Sequence, residues 1–182
     1  MTEAAILVAS HPTQAGQKII EVTLNAPKSL NALSGEMINI LLAQLPLWES
    51  DPSVAAVVMR GMGDRSFCAG GDIRHLYQAM QRGEIEHGQA FFNLEYSLNV
   101  TMHSMQTPLL VWGQGYVIGG GMGLLQGAGL RIATHSSRLI MPEVSIGLFP
   151  DVGASLFLQE VPDGLGLFLG LTGAAVNGTD AR

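Results

Sequence analysis

Short β-branched apolar runs alternate with helix-patterned stretches along this chain, and that alternation constrains the fold more than any other feature. Ile19 to Leu24 and Val54 to Met59 are rich in Val and Ile and are bounded by polar or Gly/Pro punctuation, which predicts buried strands. Leu109 to Trp112 and Tyr116 to Ile118 repeat the pattern. Between the first two runs, Gly35 to Leu45 places Met37, Ile40, Leu41 and Leu45 at amphipathic helical spacing, and Pro46 is expected to kink or end that helix. A second helix is predicted over Asp72 to Met80, a longer one over Gln89 to Met105 before Thr107-Pro108, and another over Gly121 to Leu130. Arg131 to Thr134 and Leu139 to Met141 read as further short strands. Strands joined through helices require right-handed crossovers, so an α/β fold with a mainly parallel sheet is expected. At the end, Asn177 or Thr179 reads as the N-cap of a helix that starts as the sequence stops.

With 182 residues, 47% of them hydrophobic and 13% charged, residues 1–182 can bury one sizeable core, and a single domain is expected. A net charge of -6 gives no broad basic surface, which argues against nucleic acid as a partner. Every apolar run is broken before the roughly 18 residues that a membrane span needs, so no membrane partner is expected. Met1 to Pro12 carries Glu3 and neither Lys nor Arg, which fits neither a secretory signal nor an Arg-rich transit peptide, and the cytoplasm is the expected location. Cys68 is the one cysteine, and His11, His75, His87, His103 and His135 form no metal-ligand motif. No metal is therefore expected. Cys68 reads as a small buried packing residue.

Two glycine-rich stretches, Phe67-Cys68-Ala69-Gly70-Gly71-Asp72 and Gly119-Gly120-Gly121-Met122-Gly123, carry the chemistry, together with two later carboxylates in Met141-Pro142-Glu143 and Phe149-Pro150-Asp151. Each glycine stretch sits where a strand turns into a helix. Glycine allows close backbone approach there, and the first N–H groups of a helix have no internal partner. Such runs also mark plain tight turns and close helix packing. Two N–H donors from two separate turns would make an oxyanion hole, worth roughly 3 kcal/mol per donor to a developing negative oxygen. Glu95 shares a helix face with Phe91, Leu98 and Met102, and a carboxylate on an apolar stripe needs a partner, either a nearby Arg or a substrate group. Its burial would raise its pKa unless a positive group is near. Asp72 reads chiefly as a helix cap bordering the pocket.

These residues resemble the crotonase, or enoyl-CoA hydratase/isomerase, superfamily from about Ile20 onward, and within it the 3-hydroxyisobutyryl-CoA hydrolase branch. The likeness runs through Leu24-Asn25-Ala26-Pro27, Leu30-Asn31-Ala32-Leu33, Phe67 to Ile73, Phe91-Phe92 with Glu95-Tyr96, Gly119 to Gly123, and Met141 to Gly153. The resemblance implies a spiral of ββα turns and an acyl-CoA substrate, with coenzyme A entering as part of that substrate and no separate cofactor. It implies oxyanion-hole N–H groups at Gly71 and Gly120. It also implies a coenzyme A pocket lined by Asn31, Ala32 and Leu33 and by Ala69, Asp72 and Ile73, and substrate binding by Glu95.

Similar hydratases carry a second glutamate at the place of Gly123, and hydration needs that second carboxylate. The hydrolases instead carry an aspartate at the place of Asp151. By this likeness Glu143 and Asp151 are the catalytic pair: Glu143 attacks the thioester carbonyl or acts as base for water, and Asp151 positions water or moves the proton. An enoyl-CoA hydratase or isomerase, and an acyl-CoA-binding core without activity, are the alternatives. The sequence departs from the hydrolases at Ala154-Ser155-Leu156, where they carry more glycine and an aromatic. They also continue far past the position of Arg182 with a helical part that closes the site. Its absence leads to the expectations of a truncated core and of homo-oligomers.

Overall fold

The computed structural model describes residues 4–162 and 164–181. Met1 to Glu3 and Arg182, which belong to the terminal segments read above, lie outside the described residues. Strand β1 (Ile6–Pro12) pairs antiparallel with β2 (Lys18–Leu24). A 3-10 turn at Pro27–Ser29 leads into α1 (Gly35–Ser50), whose N-cap Ser34 accepts from the Met37 N–H. The chain continues through β3 (Val54–Gly61), β4 (Ser66–Cys68), α2 (Ile73–Gln81), α3 (Ile85–Ser104), β5 (Leu109–Gly113), β6 (Tyr116–Ile118) and α4 (Gly120–Gln126). It finishes with β7 (Leu130–Ala133), β8 (Arg138–Ile140), a 3-10 turn at Glu143–Ile146, α5 (Ala154–Phe157), α6 (Leu165–Thr172) and β9 (Val176–Asn177).

The strands form two sheets rather than one. One runs β1-β2-β3-β5-β7, the other β4-β6-β8-β9, and only the pairs β1/β2 and β8/β9 are antiparallel. Each turn of the spiral gives its first strand to the five-stranded sheet and its second to the four-stranded one: β3 then β4, β5 then β6, β7 then β8. Gln114 holds the bend between β5 and β6, donating through Nε2 to the Gly61 and Gly63 carbonyls. Val22, Leu24, Val57, Met59 and Val111 from the first sheet bury against Met37, Leu41 and Leu45 of α1 and Leu98 and Met102 of α3. This core fixes the strand ends from which the glycine turns emerge.

Helix α1 runs through Pro46 to Ser50 and does not end at Leu45. An internal proline costs about 3 kcal/mol. Carrying the helix on buries Trp48, worth about 2 kcal/mol, which offsets most of that cost. Helix α4 stops at Gln126, short of Leu130, because Leu130 already belongs to β7. At the C-terminal end the Asn177 side chain accepts from the Thr179 and Asp180 N–H groups as an N-cap would, but Val176–Asn177 is a strand and a turn follows it. Among the described residues no helix is long and apolar enough to cross a membrane.

Candidate active site

The first glycine turn is laced to the segment before α1. Leu33 N–H donates to the Gly70 carbonyl, Asp72 N–H to the Leu33 carbonyl and Ala69 N–H to the Leu30 carbonyl. Asn31 braces this arrangement from beneath, accepting from the Ala26 N–H and donating to the Met62 and Ser66 carbonyls, with its backbone in the left-handed region. Asn31 and Leu33 are buried and lie outside the cavity described below, as do Ala32 and Asp72. Asp72 caps α2 through the His75 N–H at 3.1 Å. Cys68 is fully buried, and burial pushes its thiol up to about 12, which leaves it inert as a nucleophile.

The second turn packs directly on the first. A Cβ on Gly120 would lie 3.4 Å from the Gly71 nitrogen and 2.1 Å from Glu95 Oε1. Neither the Gly71 nor the Gly120 N–H donates a hydrogen bond within the turns that hold it. Both line a cavity of about 80 Å³, and so do Ala69, Ile73, Glu95, Glu143 and Asp151. Two N–H donors without a partner among the described residues and three carboxylates, from five separate segments, thus meet in one small space.

Each carboxylate is held differently. Glu95 projects from α3 and is 3% exposed, and its Oε1 has no hydrogen-bond partner. No Lys or Arg pairs with it among the described residues, so the salt bridge that its apolar helix face called for is not formed. Burial, reinforced by the Asp151 and Glu143 charges, pushes its carboxyl up to about 7. Glu143 opens the 3-10 turn after β8, is buried, and has an unpartnered Oε2; desolvation is the main cause raising its pKa, and the Asp151 charge adds to it. Asp151 lies on the loop before α5 and accepts a 2.7 Å hydrogen bond from the Tyr96 hydroxyl. Burial and that bond together raise the Tyr96 phenol above its ordinary range.

Tyr96 carried no role in the sequence reading beyond its place in the resemblance. It faces away from the apolar stripe of α3, and its partner is 55 residues distant, so no local pattern announces the contact.

Glu95 makes stability depend on pH. Its folded pKa is raised, so the folded state binds more protons than the unfolded chain between about 4.5 and 7, and stability falls as pH rises through that window. The shift corresponds to about 3 kcal/mol. Urea denaturation should therefore show Glu95→Gln close to wild type at pH 5 and more stable by up to about that amount at pH 8. Equal stability of the two proteins at pH 8 would contradict the burial of a charged Glu95.

A family model described as enoyl-CoA hydratase/isomerase matches residues 19–182. The chain belongs to the enoyl-CoA hydratase/isomerase family. It is 44% identical over 161 residues to the mitochondrial 3-hydroxyisobutyryl-CoA hydrolase of Xenopus tropicalis, an alignment covering 88% of this chain and 42% of that protein. The chain thus spans less than half the length of such curated relatives. Among solved structures it resembles an enoyl-CoA hydratase from Rhodobacter sphaeroides 2.4.1, with TM-score 0.87 and 38% identity over 96% of this chain and 51% of the other. A carnitinyl-CoA dehydratase from Mycobacterium thermoresistibile gives TM-score 0.90 and 36% identity over 98% and 51%. Within this enoyl-CoA hydratase/isomerase fold, Gly123 has no room for a side chain, because a Cβ there would lie 2.6 Å from the Val152 Cβ and 3.0 Å from Asn99 Oδ1. The space that a second glutamate would need is filled.

Proposed function

We propose that the chain carries a coenzyme A thioester hydrolase site for short branched 3-hydroxyacyl groups, with 3-hydroxyisobutyryl-CoA as the substrate and valine breakdown as the setting. The observation that carries this reading is the convergence of Glu143 and Asp151 with the free Gly71 and Gly120 N–H groups on one cavity, while Gly123 is closed to a second glutamate. The names of the hydrolase relatives support the substrate class. In this reading the thioester oxygen sits between the two N–H groups, which stabilise the negative charge it gains. Glu143, whose pKa burial raises, either takes a proton from the attacking water or attacks the carbonyl itself. With water as nucleophile the C–S bond then breaks to give the acid directly; with Glu143 as nucleophile it breaks to leave an acyl anhydride on Glu143, which water hydrolyses to the acid and the free Glu143 carboxylate, and in both cases the thiolate of coenzyme A takes up a proton.

Asp151, oriented by Tyr96, holds the water and passes the proton. Glu95, close to half protonated near neutral pH, can donate to or accept from the 3-hydroxyl group. Coenzyme A is needed only as the carrier of the acyl group. Association into homo-oligomers belongs to the same reading and is supported by the exposed Phe149, Leu167, Phe168 and Leu171. Asp151→Asn keeps the shape and loses the proton acceptor, so thiol release from 3-hydroxyisobutyryl-CoA should fall about tenfold to a hundredfold with little change in KM. A rate within twofold of wild type removes Asp151 from the reaction.

A further inference from the structure

A second, larger cavity is lined by residues close in the chain to those of the small catalytic one. The second has a volume of about 410 Å³ and is lined by Tyr96, Val100, Gly127, Val152, Leu156 and Phe157 among others. The two are built from neighbouring residues of the same three segments. Glu95, Gly120 and Asp151 face the catalytic cavity, and Tyr96, Gly123 and Val152 face the larger one. Val152 and Gly123 line the larger cavity, and their chain neighbours Asp151 and Gly120 line the smaller one.

Val152 holds an unusual conformation for a β-branched residue. Its φ is +42°, in the left-handed region that favours glycine, and it is 6% exposed. In that conformation its Cβ packs against Gly123. Strain of this kind persists only where the surroundings enforce it, and it concentrates at functional sites. The outcome here is a branched side chain lining the 410 Å³ space, whose exposed surface is mostly apolar, one residue along the chain from Asp151 of the 80 Å³ space.

We propose that Val152 is the wall that sets acyl-chain length, and that the cavity behind it accepts the distal methylenes of a longer 3-hydroxyacyl group once the wall is removed. This rests on the reading of the catalytic cavity as the acyl site. Val152→Gly is the natural variant, since glycine adopts the same backbone without strain and the fold is kept. Each methylene moved from water into an apolar cavity gains roughly fourfold in affinity, so an acyl group with two more carbons should gain about fifteenfold.

The test uses non-hydrolysable thioether analogues of 3-hydroxyisobutyryl-CoA and 3-hydroxyhexanoyl-CoA, with binding measured by titration calorimetry on the wild-type 182-residue chain and on Val152→Gly. The preference for the longer analogue should rise about fifteenfold in Val152→Gly. Adding Leu156→Trp, which fills the second cavity, should return it to the wild-type value. An unchanged preference while the short analogue still binds overturns the wall and leaves the hydrolase reading standing. No binding of either analogue by either protein overturns both.

Discussion

Glu143→Gln is expected to lower thiol release from 3-hydroxyisobutyryl-CoA by about a thousandfold, the middle of the range for a positioned acid–base group. Glutamine keeps the size and shape of the side chain, but its amide neither takes a proton from water nor attacks a carbonyl. Glu143 is buried with one oxygen unpartnered, so the charge is itself a burden on the fold. Removing it should leave the protein at least as stable at neutral pH. Activity and stability therefore move in different directions, which separates lost chemistry from lost folding. Steady-state thiol release together with urea denaturation reads both quantities. A variant that keeps a tenth or more of the wild-type rate would falsify the assignment of Glu143 as the central group.

Gly120→Ala is the second large effect. A methyl at this position would come within 2.1 Å of Glu95 Oε1 and 3.4 Å of the Gly71 nitrogen, so it intrudes where the two donors and the buried carboxylate meet. Glu95 must swing aside, and the Gly120 N–H loses its aim at the thioester oxygen. Loss of one such donor lowers kcat by about a hundredfold to a thousandfold. Overpacking adds about 1 to 3 kcal/mol of destabilisation. The double variant Gly120→Ala, Glu95→Ala separates the two contributions, because removing the Glu95 carboxylate makes room for the methyl. Stability should recover to that of Glu95→Ala alone, while turnover stays about a hundredfold or more below that of Glu95→Ala alone. Turnover equal to that of Glu95→Ala alone would mean that the methyl acted through Glu95 and that the Gly120 N–H is not used.

The parts of this molecule that local pattern could reveal are those in which one segment decides its own structure. The buried runs that became β2, β3, β5 and β6 are short and β-branched, Asp72 sits where a helix cap must be, and the lone Cys68 is buried as its surroundings imply. Strand β1 escaped because six of its seven residues are exposed, so it shows no apolar alternation and exists only because β2 offers it an edge. The extension of α1 past Pro46 depends on where Trp48 is buried, which is a tertiary fact. Asn31 supplied a recognisable motif, and its position outside the cavity became visible only once its three backbone partners were assembled around it.

The site divides along the same line. Gly71, Gly120, Glu143 and Asp151 stood out by their sequence context, and the fold brings all four to one cavity. The Tyr96 to Asp151 hydrogen bond, the unpaired state of Glu95 and the wedge of Val152 into Gly123 each join segments far apart in the chain. The left-handed backbone of Val152 has no signature in a sequence that places valine there.

The most direct test of the central claim is free-thiol release from 3-hydroxyisobutyryl-CoA by this 182-residue chain, with hydration of crotonyl-CoA followed in parallel. The account predicts thiol release that Glu143→Gln lowers about a thousandfold and no hydration of the double bond, because Gly123 leaves no place for a second glutamate. Hydration of crotonyl-CoA without thiol release would contradict it.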